Sequence, residues 1–182
     1  MKILFTRILN LLGAIFLICI VSAAVDTTFS WRVLLFGATE AKLFGIMENL
    51  DECDRVELYR LGQETNDADG DTFPIRAYKS QYKVEAVIVL SQEQAAQIIS
   101  LWKNQTFDIR LSALCHKPAL GYRFYRNNKL VFETSVCWEC YNFSFTTLKF
   151  IHGFWGFDAN NNAGKTLFNV STEMLKQANT DG

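Results

Sequence analysis

The sequence predicts an α+β fold, an antiparallel sheet with helices packed on one face as a two-layer sandwich, following an N-terminal signal or anchor helix. Three observations carry that expectation. Residues 1–23 have the charge and hydropathy profile of an export segment. From Arg55 onward, short β-prone runs follow one another with turn residues between them. Two amphipathic helical segments, one opening at Ser91 and one over Ala163–Gln177, each have an apolar stripe to bury.

Lys2 and Arg7 form a positive n-region, and Ile8–Val21 is an apolar run broken only by Asn10 and Gly13. Val21-Ser22-Ala23 and Ser22-Ala23-Ala24 are both small-residue cleavage sites. Cys19 follows Phe16-Leu17-Ile18 rather than small residues, so a lipid-anchor signal is not expected. The same segment also reads as an uncleaved anchor, because Ile8–Val25 reaches the lower length limit of a membrane span and its positive flank would stay cytoplasmic. Either way, residues 26–182 are expected to be extracytoplasmic, in periplasm, cell envelope or medium, touching a membrane only if residues 8–25 are retained.

Residues 26–54 read as a lead-in. Phe29–Phe36 is apolar but too short to span. Thr39–Leu50 sets Leu43, Met47 and Leu50 at helical spacing, giving a short amphipathic helix that packs on the domain or lies on a membrane surface beside a retained anchor.

Residues 55–182 read as a single α+β domain. Arg55–Leu61 is a strand, and Glu64–Thr72 is a polar loop around Asp69-Gly70. Ile75–Leu90 is β-prone throughout, with Val84, Ala86, Ile88 and Leu90 alternating onto one face. Ser91 and Gln94 then match the capping box that satisfies two orphan N–H groups, and Ala95, Ile98, Ile99 and Trp102 form one helical stripe. Asp108–Leu114, Tyr122–Asn127 and Lys129–Trp138 are further strands, with Asn127-Asn128 as a hairpin turn, since asparagine tolerates positive φ. Phe143–Ile151 is another strand. The last helix buries Leu167, Val170 and Met174, with Asn160-Asn161-Asn162 available to cap it.

Composition limits the function classes. The chain has 182 residues, 49% apolar and 20% charged, with a formal net charge of −1. That apolar fraction excludes a disordered chain. Near-neutral charge, mildly acidic once Lys2 and Arg7 are removed, excludes nucleic acid as the main partner.

Five cysteines concentrate the remaining chemistry, four of them beyond the export segment: Cys53, Cys115, Cys137 and Cys140. In an oxidising compartment a disulfide is the default. A two-residue turn at Asn127-Asn128 sets Arg126 opposite Lys129, and on an unbroken register Cys115 then faces Cys140 with Cα atoms about 4.5 Å apart, within disulfide reach. Pro118 and Gly121 could interrupt that ladder, which makes Cys115–Cys137 the second choice. A Cys137–Cys140 bridge needs a tight turn, because three residues of strand span about 10 Å.

Three chemistries compete with a structural disulfide. Cys137-Trp138-Glu139-Cys140 is a C-x-x-C redox motif, although strand-like sequence follows it where an active motif would begin a helix. Cys115, His116, Cys137 and Cys140 are acceptable zinc ligands, with His152 able to replace His116. Adjacent Cys115 and His116 would both face a metal only from a turn. Cys–His nucleophilic catalysis has no supporting motif. Cys53 is left unpaired or takes the remaining cysteine.

The run Cys115-His116-Lys117-Pro118, a Tyr-Arg-Phe-Tyr strand, a hairpin and then Val136-Cys137-Trp138-Glu139-Cys140 resembles a pattern in uncharacterised exported bacterial proteins, over about residues 55–145. The resemblance implies that the cysteine cluster is a family feature and that the source is bacterial. It implies no activity.

Other motifs have plainer readings. Ala159–Thr166 fits a loosened phosphate-loop pattern, but that loop needs a buried parallel strand before it, so helix capping is expected. Asp67, Asp69 and Asp71, and likewise Asp158, Asn160 and Asn162, lack the Gly and Glu that complete a calcium loop. Tyr122–Arg126 interleaves basic and aromatic residues, which suits arginines packed over rings. Gly153–Phe157 is an aromatic cluster expected in the core or, if exposed, at a partner surface.

The sequence thus predicts a non-enzymatic extracytoplasmic binding or structural module, stabilised by a disulfide and needing no cofactor, whose partner is a protein or envelope component. The alternative is a thiol-based protein, redox or zinc, centred on Cys115, Cys137 and Cys140.

Overall fold

A computed structural model describes residue 45 and residues 47–66, 70–108, 115–147, 152–158 and 160–180. The chain divides into two compact units, Met1–Gly45 and Ile46–Gly182, and the architecture below belongs to the second. The export segment and most of the lead-in lie outside the described residues. Among the described residues no helix is long and apolar enough to cross a membrane. The expected anchor over residues 8–25 is corrected to that extent: the segment itself lies outside the described residues, and no described helix could take its place in a membrane.

Among the described residues there are eight strands: β1 (Arg55–Glu64), β2 (Thr72–Ile75), β3 (Ser80–Val89), β4 (Phe107–Asp108), β5 (Leu120–Arg126), β6 (Lys129–Cys137), β7 (Asn142–Thr147) and β8 (His152–Phe157). The described residues also hold two helices, α1 (Gln92–Lys103) and α2 (Asn162–Thr180), two 3-10 turns, Leu50–Glu52 and Arg76–Tyr78, and helical backbone at Met47 and Glu48. The sheet order is β2-β3-β1-β5-β6-β7-β8-β4, and every pairing is antiparallel.

The α+β content stands, but the flat two-layer sandwich is corrected. The sheet is a curled half-barrel of seven longer strands, with the two-residue β4 at its edge and the two helices beside it. A two-layer sandwich leaves one sheet face wet, so its strands alternate buried and exposed. Here Phe132–Cys137 and Asn142–Thr146 are buried at every position, which requires cover on both faces.

One face packs against the helices. Trp102 of α1 lies edge-on to the rings of Tyr122, Phe132 and Phe143, with centroids 5.5, 6.3 and 5.7 Å away. Buried Leu167, Met174 and Leu175 of α2 join that layer, and the Tyr122 hydroxyl bonds Ser171 Oγ at 2.8 Å. The other face is closed by curling. The Arg76–Tyr78 turn, at the β2 end of the sheet, packs on β7 and β8. On a flat sheet β2 and β7 would lie roughly 24 Å apart at ordinary strand spacing. Tyr59, Leu61, Phe73, Ile75 and Tyr82 form an apolar cluster within the curl. Gly121 makes this possible on β5: a Cβ there would stand 2.8 Å from the Phe73 ring.

Local chemistry sets the boundaries. Ser91 Oγ accepts from Gln94 N and Gln94 Oε1 accepts from Ser91 N, so the capping box forms as expected. Asn161 Oδ1 accepts from Gly164 N at 2.6 Å and caps α2, which assigns the phosphate-loop look-alike to helix capping. Asp158 Oδ1 accepts from Asn160 N, a local Asx turn. Asn127 and Asn128 have φ of 52° and 60°, matching a hairpin turn.

Other boundaries differ from expectation. The Ile75–Leu90 run is split, because Lys79 turns the chain at φ 54° between the 3-10 turn and β3. The β1–β3 register shifts between Arg60 and Leu61, pairing Arg60 with Ala86 and Leu61 with Val84. That bulge moves Val84 to the curl face, away from the face of Ala86 and Ile88. Of the expected Phe143–Ile151 strand, β7 takes in Phe143–Thr147 and residues 148–151 lie outside the described residues, while the Gly153–Phe157 cluster belongs to β8. Of the expected Asp108–Leu114 strand, β4 takes in Asp108, and residues 109–114 lie outside the description.

Candidate functional site

Polar residues at the β6–β7 end of the curl form a buried cluster. Ser135 sits on β6, Asn142 opens β7, and the two strands pair there as Cys137↔Asn142 and Ser135↔Ser144. His116, from the segment before β5, bonds Asn142 Oδ1 through Nδ1 at 2.6 Å and Ser135 Oγ through Nε2 at 2.8 Å. Asn142 Nδ2 donates to the Cys115 carbonyl at 2.8 Å and to the Tyr78 hydroxyl at 3.4 Å. With both amide protons placed, Asn142 Oδ1 is an acceptor, so His116 Nδ1–H donates to it and neutral Nε2 accepts from Ser135. Tyr78 stacks on the imidazole, with centroids 5.0 Å apart and planes 7° from parallel. Tyr82 donates its hydroxyl to the His116 carbonyl. Burial lowers the His116 pKa from 6.5 to about 4, with the Asn142 bond opposing the shift.

Ser135, His116 and Asn142 therefore form the hydrogen-bond chain of nucleophile, base and orienting group. Ser135, however, is only 1% exposed in the middle of a strand. Its hydroxyl has no access for a substrate. The chain fixes residues 115–118 against β6 and β7.

The disulfide sits beside this cluster. Cys115 and Cys140 are bonded with Cα atoms 6.2 Å apart. The pairing is the one expected, but the route differs. The β5–β6 register shifts between Phe124 and Tyr125, so Phe124 faces Phe132 and Leu120 faces Val136. The ladder stops at Leu120, and Cys140 lies in the turn after β6. Cys115 reaches it because the His116 and Asn142 bonds hold the preceding segment there. Cys115–Cys137 does not form; Cys137 is a free, buried thiol.

The other expected sites are redistributed. Zinc is not supported by the set Cys115, His116, Cys137 and Cys140, since two sulfurs are consumed by the disulfide and both His116 nitrogens are engaged. Among the described residues no group of three or more His, Cys, Asp or Glu could hold a metal ion. Cys137 and Cys140 are not bonded to each other; the Cys140 N–H donates to Cys137 Sγ at 3.3 Å. Cys53 is free and half-buried, and burial foremost, with Asp54, Glu52 and Asp51 adding to it against Arg126, pushes its pKa to about 11. In the Tyr122–Arg126 run, Arg123 pairs with buried Glu133 at 2.7 Å and lies 4.9 Å from the Tyr59 and Phe73 rings, which is core packing. Ser135, Asn142 and Tyr78 belong to no motif. The sequence signal is confined to β7, where polar Asn142 and Ser144 alternate with Phe143 and Phe145.

A second feature lies at the sheet margin. Among the described residues β2 pairs with β3 only over Ser80–Lys83, which leaves the outer edge of Glu85–Val89 free. Leu90 N donates to Val56 O, and by strand alternation Ile88 also bonds toward β1, while the N–H and C=O of Val87 and Val89 point outward. Their side chains are 50% and 64% exposed. No family model, curated protein or solved structure matches the chain, so the fold and these two features stand on their own geometry.

Proposed function

We propose that the chain is a non-enzymatic binding module, clamped by the Cys115–Cys140 disulfide, that takes an extended segment of a protein partner as an added strand along β3. The free Glu85–Val89 edge carries this reading. Natural sheets blunt open edges with charge, proline or cover, because unpaired backbone recruits strands. Here Val87 and Val89 present outward backbone groups and β-branched side chains together. Main-chain hydrogen bonds would supply affinity, and the two valines would select alternate apolar residues of the partner. The sealing of Ser135 and His116 beneath Tyr78 supports a non-catalytic role for the polar cluster.

The test is peptide selection from a random displayed library, followed by hydrogen exchange. Enriched peptides are expected to lack proline and to alternate β-branched residues. Binding should slow exchange of the Val87 and Val89 amides, which exchange freely without peptide. Val87→Lys with Val89→Lys, both surface changes, should abolish binding and leave the fold intact. Unchanged exchange at those two amides in a peptide complex would overturn the reading, as would selection that yields no binder.

A further inference from the structure

Three of the described cysteines meet at one end of the sheet. Cys137 is the last residue of β6, Cys140 stands in the following turn, and Cys115 is bonded to Cys140. The chain reverses through this turn, with Tyr141 at φ 52°, before β7 begins at Asn142. The separation that an extended strand would impose on a C-x-x-C pair therefore does not apply. In a β-turn the outer Cα atoms lie within about 7 Å, close to the span that a disulfide bridges. The Cys140 N–H to Cys137 Sγ bond at 3.3 Å shows how near the two residues are. A cysteine sulfur lies roughly 3–4 Å from its own backbone nitrogen. The Cys137 sulfur is thus within one side-chain rotation of the Cys115–Cys140 bond.

We infer that Cys137 is the resolving thiol of an internal exchange, in which the Cys115–Cys140 disulfide converts to Cys137–Cys140 and leaves Cys115 as a surface thiol. Cys137 gives up its proton, and a sulfur lone pair forms a bond to Cys140 Sγ. The bond from Cys140 Sγ to Cys115 Sγ breaks, and its electron pair stays on Cys115, which takes up a proton from water. One thiol and one disulfide stand on each side, so no oxidant or reductant is consumed.

Two observations favour this direction. The Cys140 N–H donates to Cys137 Sγ at 3.3 Å, which holds the attacking sulfur beside residue 140. Cys137 is fully buried and Cys140 nearly so, while Cys115 is exposed, so the departing charge appears where water can solvate it. The exchange would make Cys115 an attachment point for a disulfide-bearing partner. It does not depend on the β3 edge, and either proposal can fail alone.

The experiment traps the freed thiol. Full-length protein is held with iodoacetamide at mildly alkaline pH, quenched in acid and mapped by non-reducing peptide mass spectrometry. Exchange yields a growing fraction with alkylated Cys115 and a Cys137–Cys140 bond. Cys137→Ser, which keeps the Cys115–Cys140 bond, should lower Cys115 alkylation roughly tenfold or more. Oxidised Cys115→Ala protein should form the Cys137–Cys140 bond. A persistent Cys115–Cys140 bond without alkylated Cys115 overturns the inference, and so do free thiols at Cys137 and Cys140 in oxidised Cys115→Ala protein. Bridges to Cys53 would mark scrambling in unfolded chains and would also overturn it.

Discussion

His116 is packed as a neutral ring, and that choice of protonation state makes the fold sensitive to acid. Its pKa is about 4 in the folded protein, against 6.5 for an unperturbed imidazole. Between those values the unfolded chain binds a proton that the folded chain refuses. Stability is therefore complete above about pH 6.5 and falls as pH drops toward 4, by about 3 kcal/mol across the window. Tyr78 and Tyr82, which face the same cluster, have pKa values raised from 10 by burial foremost and do not titrate there. Urea midpoints measured from pH 7 to pH 4 should fall in the native protein and change much less in His116→Gln. Equal slopes in the two proteins would show that His116 does not cause the loss.

At the scale of elements, the parts legible in the sequence are those decided by neighbours along the chain. The Ser91–Gln94 box and the Asn127-Asn128 turn depend on backbone groups within three residues, and both form. Periodicity failed where a distant strand intervened. The Glu85 bulge in β3 answers the register of β1, and Val84 changes face because the extra residue sets it opposite Leu61. Gly121 is explained only by Phe73, a residue on a strand with which β5 does not pair. Gly121→Ala would drive its Cβ into that ring and should cost about 1–3 kcal/mol. Gly62→Ala offers a contrast, because the nearest atom to its Cβ is the end of the exposed Glu85 side chain. That carboxylate can turn aside, so the change should stay within about 0.5 kcal/mol. Chemical denaturation of both variants decides the point, and equal costs would refute the assignment.

For the whole molecule, the curl separates the predicted sandwich from the observed half-barrel. An alternation of apolar and polar residues reports whether a face is buried, but the interior of the curl is partly polar. Ser135, Asn142 and Ser144 look like surface residues in sequence and are buried. The same curl hid the polar cluster, because His116, Ser135, Asn142 and Tyr78 come from separate elements. The disulfide partners were legible as a pair, although the ladder argument behind them was not the physical cause. Cys115 and Cys140 are 25 residues apart in sequence, and on a chain-entropy account closing that loop stabilises the fold by about 3–4 kcal/mol. Guanidinium melts of oxidised and reduced protein should differ by that amount. No shift on reduction would show that the His116 and Asn142 bonds hold the segment alone.

The seam between β1 and β5 also has a consequence for the order in which the protein can be assembled. Synthesis runs from the N-terminus, so β1, β2, β3 and α1 are complete before β5 exists. One edge of β1 can be covered by β3 at once, but the other must wait for Leu120–Arg126. The nascent chain therefore emerges with one open strand edge on β1 and another along Glu85–Val89 of β3. The rest of the chain closes the first. The second is still open when the last residue of the described fold has been made.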